Sequence, residues 1–305
     1  MSRQIALIET RFDSERKMTE LPTPPAVVVG IDGSRSALRA ALWAVDEAAD
    51  RDIPLRLLYA VGQLGNKDLD PNEATRKLAI AETAVRYAVT AIESADKPVK
   101  IEVEISQQSA IDTLVRASRS AVMVCVGAVG VEHFQPGRVG STAAAVAADA
   151  HCAVAIIRQQ EVPTRVHTGW IAVVADESPD DGVVLEAAME EARLRHAPLR
   201  VITCWRSRFP ESLDGPAVSE GNRRINADQV RRLARWNRRY PDLQIEPVAL
   251  HGNIVDYLTK HSSSIQLDIV PARDNRDVKA LVGPAGNAAL QHSDCSLLIV
   301  NRWHL

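Results

Sequence analysis

The segment VGAVGVEHFQPGRVGST holds glycines at 127, 130 and 140, the last followed at once by Ser141 and Thr142. The pattern is G, two residues, G, nine residues, G-S. Glycine has no Cβ, so backbone amides beside Gly127 and Gly130 can approach a phosphate closely. Gly140 and Ser141 stand where a helix opens, and the unpaired N–H groups and dipole of a helix start favour an anion. The hydroxyls of Ser141 and Thr142 add donors, and Arg138 in the same loop can pair with a phosphate. A second segment, Gly30-Ile31-Asp32, ends a β-branched run. Glycines after strands also serve as plain turns, and a Ser before a helix as a plain cap. The full spacing of Gly127, Gly130, Gly140 and Ser141, after the apolar run Val122–Gly127, favours a nucleotide's phosphates over both.

Those two segments need a scaffold that brings them together. Val27–Ile31 reads as a strand buried on both faces. Ser36–Asp50 reads as a helix, with Leu38, Ala41, Leu42, Val45 and Ala49 as its apolar stripe. Leu55–Val61, Lys100–Ile105, Val122–Gly127 and Ala153–Ile157 read as further strands. Asn72–Ser94, Ala110–Ser118 and Ser141–Asp149 read as helices between them. Strands alternating with helices demand a parallel sheet with helices on both faces. In such a sheet a ligand sits beyond the C-terminal strand ends, where the winding direction reverses. Gly30–Asp32 and Gly127–Thr142 both fall there.

The chain is one unit written twice. AVVVGIDGSRSA and IPLRLLYAV return as WIAVVADESPDD and APLRVITCW, so Asp32 matches Asp176, Ser34 matches Ser178, Pro54 matches Pro198 and Arg56 matches Arg200. Near the ends, HCAVAIIR matches DCSLLIVNR. Second-half strands are expected near Ile171–Val174, Leu199–Cys204, Gln244–Leu250, Leu267–Val270 and Leu297–Val300. The expected organisation is a mobile tail over 1–24, a first domain over 25–160, a polar linker in Gln159–His167, and a second domain over 168–305. The fold class is α/β, two tandem Rossmann-like domains, each a five-stranded parallel sheet with helices on both faces. At 305 residues the chain has room for two such cores.

Bulk composition excludes several classes. A formal net charge of -3 gives no global attraction to nucleic acid or an anionic membrane. No apolar run approaches the ~18 residues of a spanning helix, and the N-terminus has no signal-peptide core. Cys125, Cys152, Cys204 and Cys295 show no C-x-x-C pairing, so they read as free thiols in a reducing cytoplasm. No G-x-x-x-x-G-K-[ST] occurs, so this is not a P-loop.

The glycine spacing, the GIDGS opening and LLYAV together resemble the ATP-binding branch of the universal stress protein family, in its tandem two-domain actinobacterial type. The resemblance runs from about Pro25 to the C-terminus and is sharp only in the first half. It implies ATP, with Mg2+, as ligand. It implies that Asp32 lies beside the nucleoside, that Val61 borders the adenine, and that Val126 lines the same pocket. Gly127 and Gly130 would approach phosphates and ribose, while Gly140, Ser141 and Thr142 hold the phosphates. His133 in the loop reads as merely exposed. The implied role is regulation in stress response or growth control through an unknown protein partner. Hydrolysis is expected to be slow at most, because no base or Walker-type Lys stands out. Packing of the two repeats like a family dimer is expected, with homodimerisation of the chain open. The apolar strands Cys152–Ile157 and Cys295–Val300 are candidates for such pairing.

The second half has lost the loop. Pro284 replaces Ser141's counterpart after Gly283, Pro271 falls near Gly127's place, and nothing matches Gly130. A Pro there removes an N–H and a hydroxyl. Asp176, Glu177, Asp180 and Asp181 add negative charge against a triphosphate, so a degenerate or empty cleft is expected, although Arg273 and Arg276 leave another anion open. Arg231, Arg232, Arg235, Arg238 and Arg239 lie on one helix with Trp236. A solvated face balanced by nearby acids is the favoured reading there over an RNA or acidic partner. Three alternatives stay open: a scaffold with vestigial pockets, a binder of AMP or a cyclic nucleotide, and an adenylating enzyme. The last lacks the S-G-G-x-D-S loop such enzymes carry.

Overall fold

Short apolar runs become the strands, and the central ones are buried by their neighbours on both faces. The computed structural model describes residues 24–62, 71–131, 139–158, 169–175, 181–206, 215–272, 281–283, 286 and 295–301. The expected tail (to residue 23) and linker, with His133, Arg138, Asp176, Glu177, Asp180, Arg273, Arg276 and Pro284, lie outside those residues. The chain divides into two compact units between Arg158 and Gln159.

The first unit runs β1 (Val27–Ile31), α1 (Arg35–Asp50), β2 (Leu55–Ala60), α2 (Pro71–Glu93), β3 (Ile101–Ser106), α3 (Ala110–Ala117), β4 (Met123–Gly127), α4 (Ser141–Asp149) and β5 (Ala153–Ile157). Its strand order is β3-β2-β1-β4-β5, every pair parallel. Winding reverses between β1 and β4, where Val27, Val28 and Val29 face Met123, Val124 and Cys125. Val27, Val28, Val29, Val124 and Cys125 are wholly buried.

The second unit repeats the plan with β6 (Trp170–Val174), α5 (Asp181–Leu194), β7 (Leu199–Trp205), α6 (Gly215–Arg239), β8 (Ile245–His251), α7 (Ile254–His261), β9 (Ile265–Pro271) and β10 (Ser296–Val300). Its order is β8-β7-β6-β9-β10, again parallel. The duplication extends to ion pairs. Arg56 bonds Glu102 across β2 and β3 at 3.0 Å, and Arg200 bonds Glu246 across β7 and β8 at 3.2 Å. Burial opposes the charge of Glu102, but hydrogen bonds from Lys100 and Arg56 outweigh it and hold its carboxyl below the ordinary value.

Helix α1 does not bury the expected stripe. Its buried face is Ala37, Ala40, Ala41, Ala44, Val45, Glu47 and Ala48. Of the expected residues only Ala41 and Val45 are buried, Leu38 and Ala49 are half-buried, and Leu42 is exposed. The reason is steric. The apolar residues of α1 span a wide arc, with Ala37, Ala40, Ala44 and Ala48 on one side of it and Leu38 and Leu42 on the other, and the expected stripe followed the larger side chains. The all-small face lets α1 sit close over β1 and β4, and the leucines are left at the margin. Glu47, fully buried among those alanines, is paired with Arg51 at 2.5 Å.

Within the strands, a buried acid breaks the apolar pattern. Asp268 on β9 is wholly buried, and neither carboxylate oxygen has a hydrogen-bond partner among the described residues. Burial pushes its carboxyl up to about 7. It faces Ala172 on β6 and Leu297 on β10.

Candidate functional site

At the C-terminal end of β1 the chain leaves the sheet through Asp32, Gly33 and Ser34. Gly33 holds φ +84, a left-handed turn that suits glycine. Ser34 caps α1, its hydroxyl accepting from the Ala37 amide at 3.0 Å. Asp32 is exposed, and its two oxygens serve two loops. Oδ1 accepts from the Ser34 amide at 2.8 Å, and Oδ2 accepts from the Val131 amide at 3.3 Å. Asp32 thus links the β1–α1 turn to the glycine loop after β4. Tyr59, opposite Ile31 in the register, has its phenol pushed up by burial and then by the charge of Asp32.

The loop after β4 is held amide by amide. Ala128 donates to the Ile157 carbonyl at 3.0 Å, and its own carbonyl accepts from the Gly140 amide at 2.7 Å. Val129 donates to Ser36 Oγ at 3.4 Å. Val131 donates to Asp32. Between them, no described residue accepts from the amide of Gly130, which is exposed. A Cβ on Gly130 would stand 2.9 Å from Asp32 Oδ2, so the missing side chain is what lets the loop close on that carboxylate.

Gly140 brings the next helix to the same spot. A Cβ there would lie 3.9 Å from the Gly130 nitrogen. Gly140 is the N-cap of α4 and makes no side-chain cap bond, whereas Ser34 caps α1 and Ser109 caps α3. The opening of α4, with Ser141 exposed and Thr142 half-exposed, therefore keeps its capacity for an anion.

Gly127 has a different reason from the one its spacing suggests. A Cβ there would stand 2.5 Å from Ser36 Oγ, 2.6 Å from the Ser36 carbonyl carbon and 2.7 Å from the Ala37 nitrogen. The close approach it permits is of helix α1. Gly30 likewise makes room for α3, since its Cβ would meet a Leu114 methyl at 3.2 Å. Ile31 and Val126 are each 5% exposed and belong mainly to the core beneath the site. Val61 is half-buried at the end of β2, its amide donating to the Ser106 carbonyl at 2.9 Å. Ser106 is itself fixed by a 3.0 Å bond to Thr113 Oγ1.

Comparison with known proteins agrees with this plan. The family model described as the universal stress protein family matches residues 25–158 and again 170–301. The chain belongs to the universal stress protein family. A universal stress protein of Mycobacterium tuberculosis is 50% identical over 288 residues, 94% of this chain and 100% of that relative. A second from the same organism is 38% identical over 281 residues, 92% of this chain and 98% of the relative. A crystal structure of a universal stress protein from Archaeoglobus fulgidus covers 91% of this chain and 96% of its own, with a TM-score of 0.64 at 15% identity, which speaks for the fold. The chain is thus a tandem universal stress protein, with two copies of the family domain in one polypeptide.

The second universal-stress-protein domain differs at the places that matter. Pro271 ends β9 where Gly127 ends β4. The equivalence is geometric, because Ala272 donates to the Val300 carbonyl at 2.9 Å just as Ala128 donates to Ile157. At the end of β7, Trp205 stands where β2 is followed by Val61. Its indole N–H donates to Asn222 Oδ1 at 2.7 Å, its ring meets His251 edge-on at 4.6 Å, and it presses on α6 where Gly221 has no Cβ to oppose it. A locked indole therefore replaces the small Val61 wall. Asp181 does not add charge to the cleft as its sequence position suggests. It is 4% exposed and accepts from Arg232 Nη2 on α6 at 2.9 Å, so its charge is buried and balanced.

Two further arginines of α6 pair with acids at the surface. Arg231 pairs with Asp228, and Arg239 pairs with Glu186. Trp236 is 6% exposed, with Arg235 over its ring at 5.1 Å, so it offers no open face for a base. Sequence reasoning passed over Ser36, Asp268 and the place of Trp205. For Trp205 the signal was present in the match of ITCW to LYAV. For Ser36 no local pattern marks a contact made across β4.

Proposed function

We propose that the first domain binds ATP and that the protein acts through nucleotide-dependent interaction with a partner, not through fast turnover. One observation supports this above the others: the open Gly130 amide lies beside the uncapped start of α4, with 3.9 Å between its nitrogen and a Cβ position on Gly140. Two converging sets of unsatisfied N–H donors suit a phosphate chain. Ser141 and Thr142 add hydroxyls, and Arg138 is assigned to the phosphates on its sequence position. Asp32, Val61 and Val126 are assigned to the nucleoside side. Mg2+ brought with ATP would rest on phosphate oxygens, since among the described residues no group of three His, Cys, Asp or Glu side chains is clustered. Asp32, whose oxygens both accept backbone N–H, is poorly placed as a general base. The second domain is assigned a structural role, with Pro271 and Trp205 in the places of Gly127 and Val61.

The test is nucleotide content of freshly purified protein, followed by calorimetric titration with ATP, AMP and cyclic AMP. The variant is Ser141→Pro, which mimics Pro284. Pro is accepted at a first helical position, and Gly140 already has the extended backbone, φ -65 and ψ 159, that a following Pro requires. One ATP per chain in wild type, with affinity reduced about tenfold or more in the variant, is the expected result. Two per chain overturns the assignment of the second domain. Preference for AMP or cyclic AMP keeps the site and changes the ligand, because amides read phosphate and not phosphate number. Absence of any binding leaves the scaffold reading.

A further inference from the structure

The strap after β4 alternates between tied and open amides. Ala128, Val129 and Val131 donate to Ile157, Ser36 and Asp32, and Gly130 between them donates to no described residue. Two of those acceptors, Ser36 and Asp32, belong to the turn and first residues of α1. The Ser36 hydroxyl is not needed by its own helix. Capping is done by Ser34, whose Oγ accepts from Ala37. Ser36 instead turns toward β4, where its Oγ lies 2.5 Å from the position a Cβ on Gly127 would take. A strap of four residues tied on both sides of one peptide has little freedom to rotate that peptide.

We infer that Ser36 is a positioning residue of the first domain's site. It holds the Val129 amide, and with Asp32 it aims the Gly130 amide at the opening of α4. Ser36 makes no contact with ligand itself. It acts through the orientation of a donor that does. The inference rests on the nucleotide reading and deepens it. It assigns the gain to the phosphate-bearing part of the ligand and none to the nucleoside. Without the hydroxyl, the Val129 amide loses its acceptor and competes for the space in front of Gly130. ATP and ADP then bind less well, while adenosine, which has no phosphate to read, is indifferent.

The experiment is calorimetric titration of full-length wild type and Ser36→Ala with ATP, ADP and adenosine, alongside the melting temperature of each protein without ligand. The expected result is an affinity loss of about tenfold for ATP and ADP, a change under about twofold for adenosine, and an unchanged melting temperature. Equal affinity of the two proteins for ATP overturns the inference, and so does an equal loss for ATP and adenosine. Wild type that binds neither ATP nor ADP removes the nucleotide reading and this inference with it. A second measurement needs no variant. In wild type, amide exchange followed by NMR is expected to be slower at Val129 than at Gly130. Equal exchange at the two would show that the hydroxyl does not hold the strap.

Discussion

A methyl group added to Gly127 would meet the backbone of α1 at 2.6 and 2.7 Å. Backbone at a helix start cannot swing aside as a side-chain tip can. Gly127→Ala is therefore expected to destabilise the first domain by about 1–3 kcal/mol, read as a lower urea midpoint. Any loss of ATP binding in that variant follows from the damage to packing. Asp268 gives a prediction of opposite sign. Its folded carboxyl titrates at about 7, against roughly 3.9 in an unfolded chain. Between those values the unfolded chain sheds the proton and the folded one keeps it. Stability thus falls as pH rises from about 4 to about 7 and levels off above. Asp268→Val, which installs the residue found at Val124 in the first domain, is expected to raise stability at pH 8 by about 2 kcal/mol and to flatten the pH dependence. Urea titrations at several pH values check both. At this scale the sequence was partly legible. Gly130, Gly140 and Ser141 stand where their spacing puts them. Gly127 and Ser36 depend on how α1 folds back over β4, and no window of sequence contains that.

Helices and strands were easier to read than the faces they bury. The bounds of β1, α4 and β5 follow from β-branched runs and from the glycine that opens α4. The face of α1 did not follow, because the small residues Ala37, Ala40, Ala41, Ala44 and Ala48 are the ones that pack against the sheet, while the larger Leu38 and Leu42 lie to one side. The charges of α6 were legible as a balanced face, but the identity of one partner was not. Asp181, read as an acid of the cleft, is 5% exposed at the side chain and bonded to Arg232. Arg232→Ala leaves that buried carboxylate without one of its donors and is expected to cost about 1–3 kcal/mol. Arg238→Ala on the exposed side of the same helix is expected to change stability by less than about 0.5 kcal/mol. Chemical denaturation of the two variants, side by side, checks the contrast.

Across the whole molecule the four thiols sort by burial. Cys125, Cys152 and Cys295 are buried, and Cys204 is partly exposed. Burial pushes the Cys152 thiol up to about 12, so almost none of it is thiolate at neutral pH. Native protein treated with a thiol-specific disulfide reagent is expected to react quickly at Cys204 alone, the other three following only when urea opens the fold. Mass mapping of the labelled peptides checks the order. Saturating ATP is expected to protect the first domain against heat or denaturant. The gain is about 2.7 kcal/mol at a hundredfold excess over Kd. The duplication itself was the most legible feature, since matched pairs such as Arg56 and Arg200 survive as matched ion pairs. The difference between the two domains was legible at Pro271, and at Trp205 it was present in the match of ITCW to LYAV but passed over.

The contact of Asp32 with Val131 spans 99 residues of chain. It exists only once β4 has inserted beside β1, after β2, α2, β3 and α3 have been laid down between them. Pairings of that sequence separation close late, because the loop entropy they cost is not returned until they form. Under the proposed function, nucleotide capture in the first domain would report on the end of its folding and not on its beginning. On that proposal, a chain emerging from the ribosome would acquire ligand only after α4 has followed β4 into place. In refolding experiments the signal of a fluorescent ATP analogue should rise with the slowest phase of far-ultraviolet dichroism.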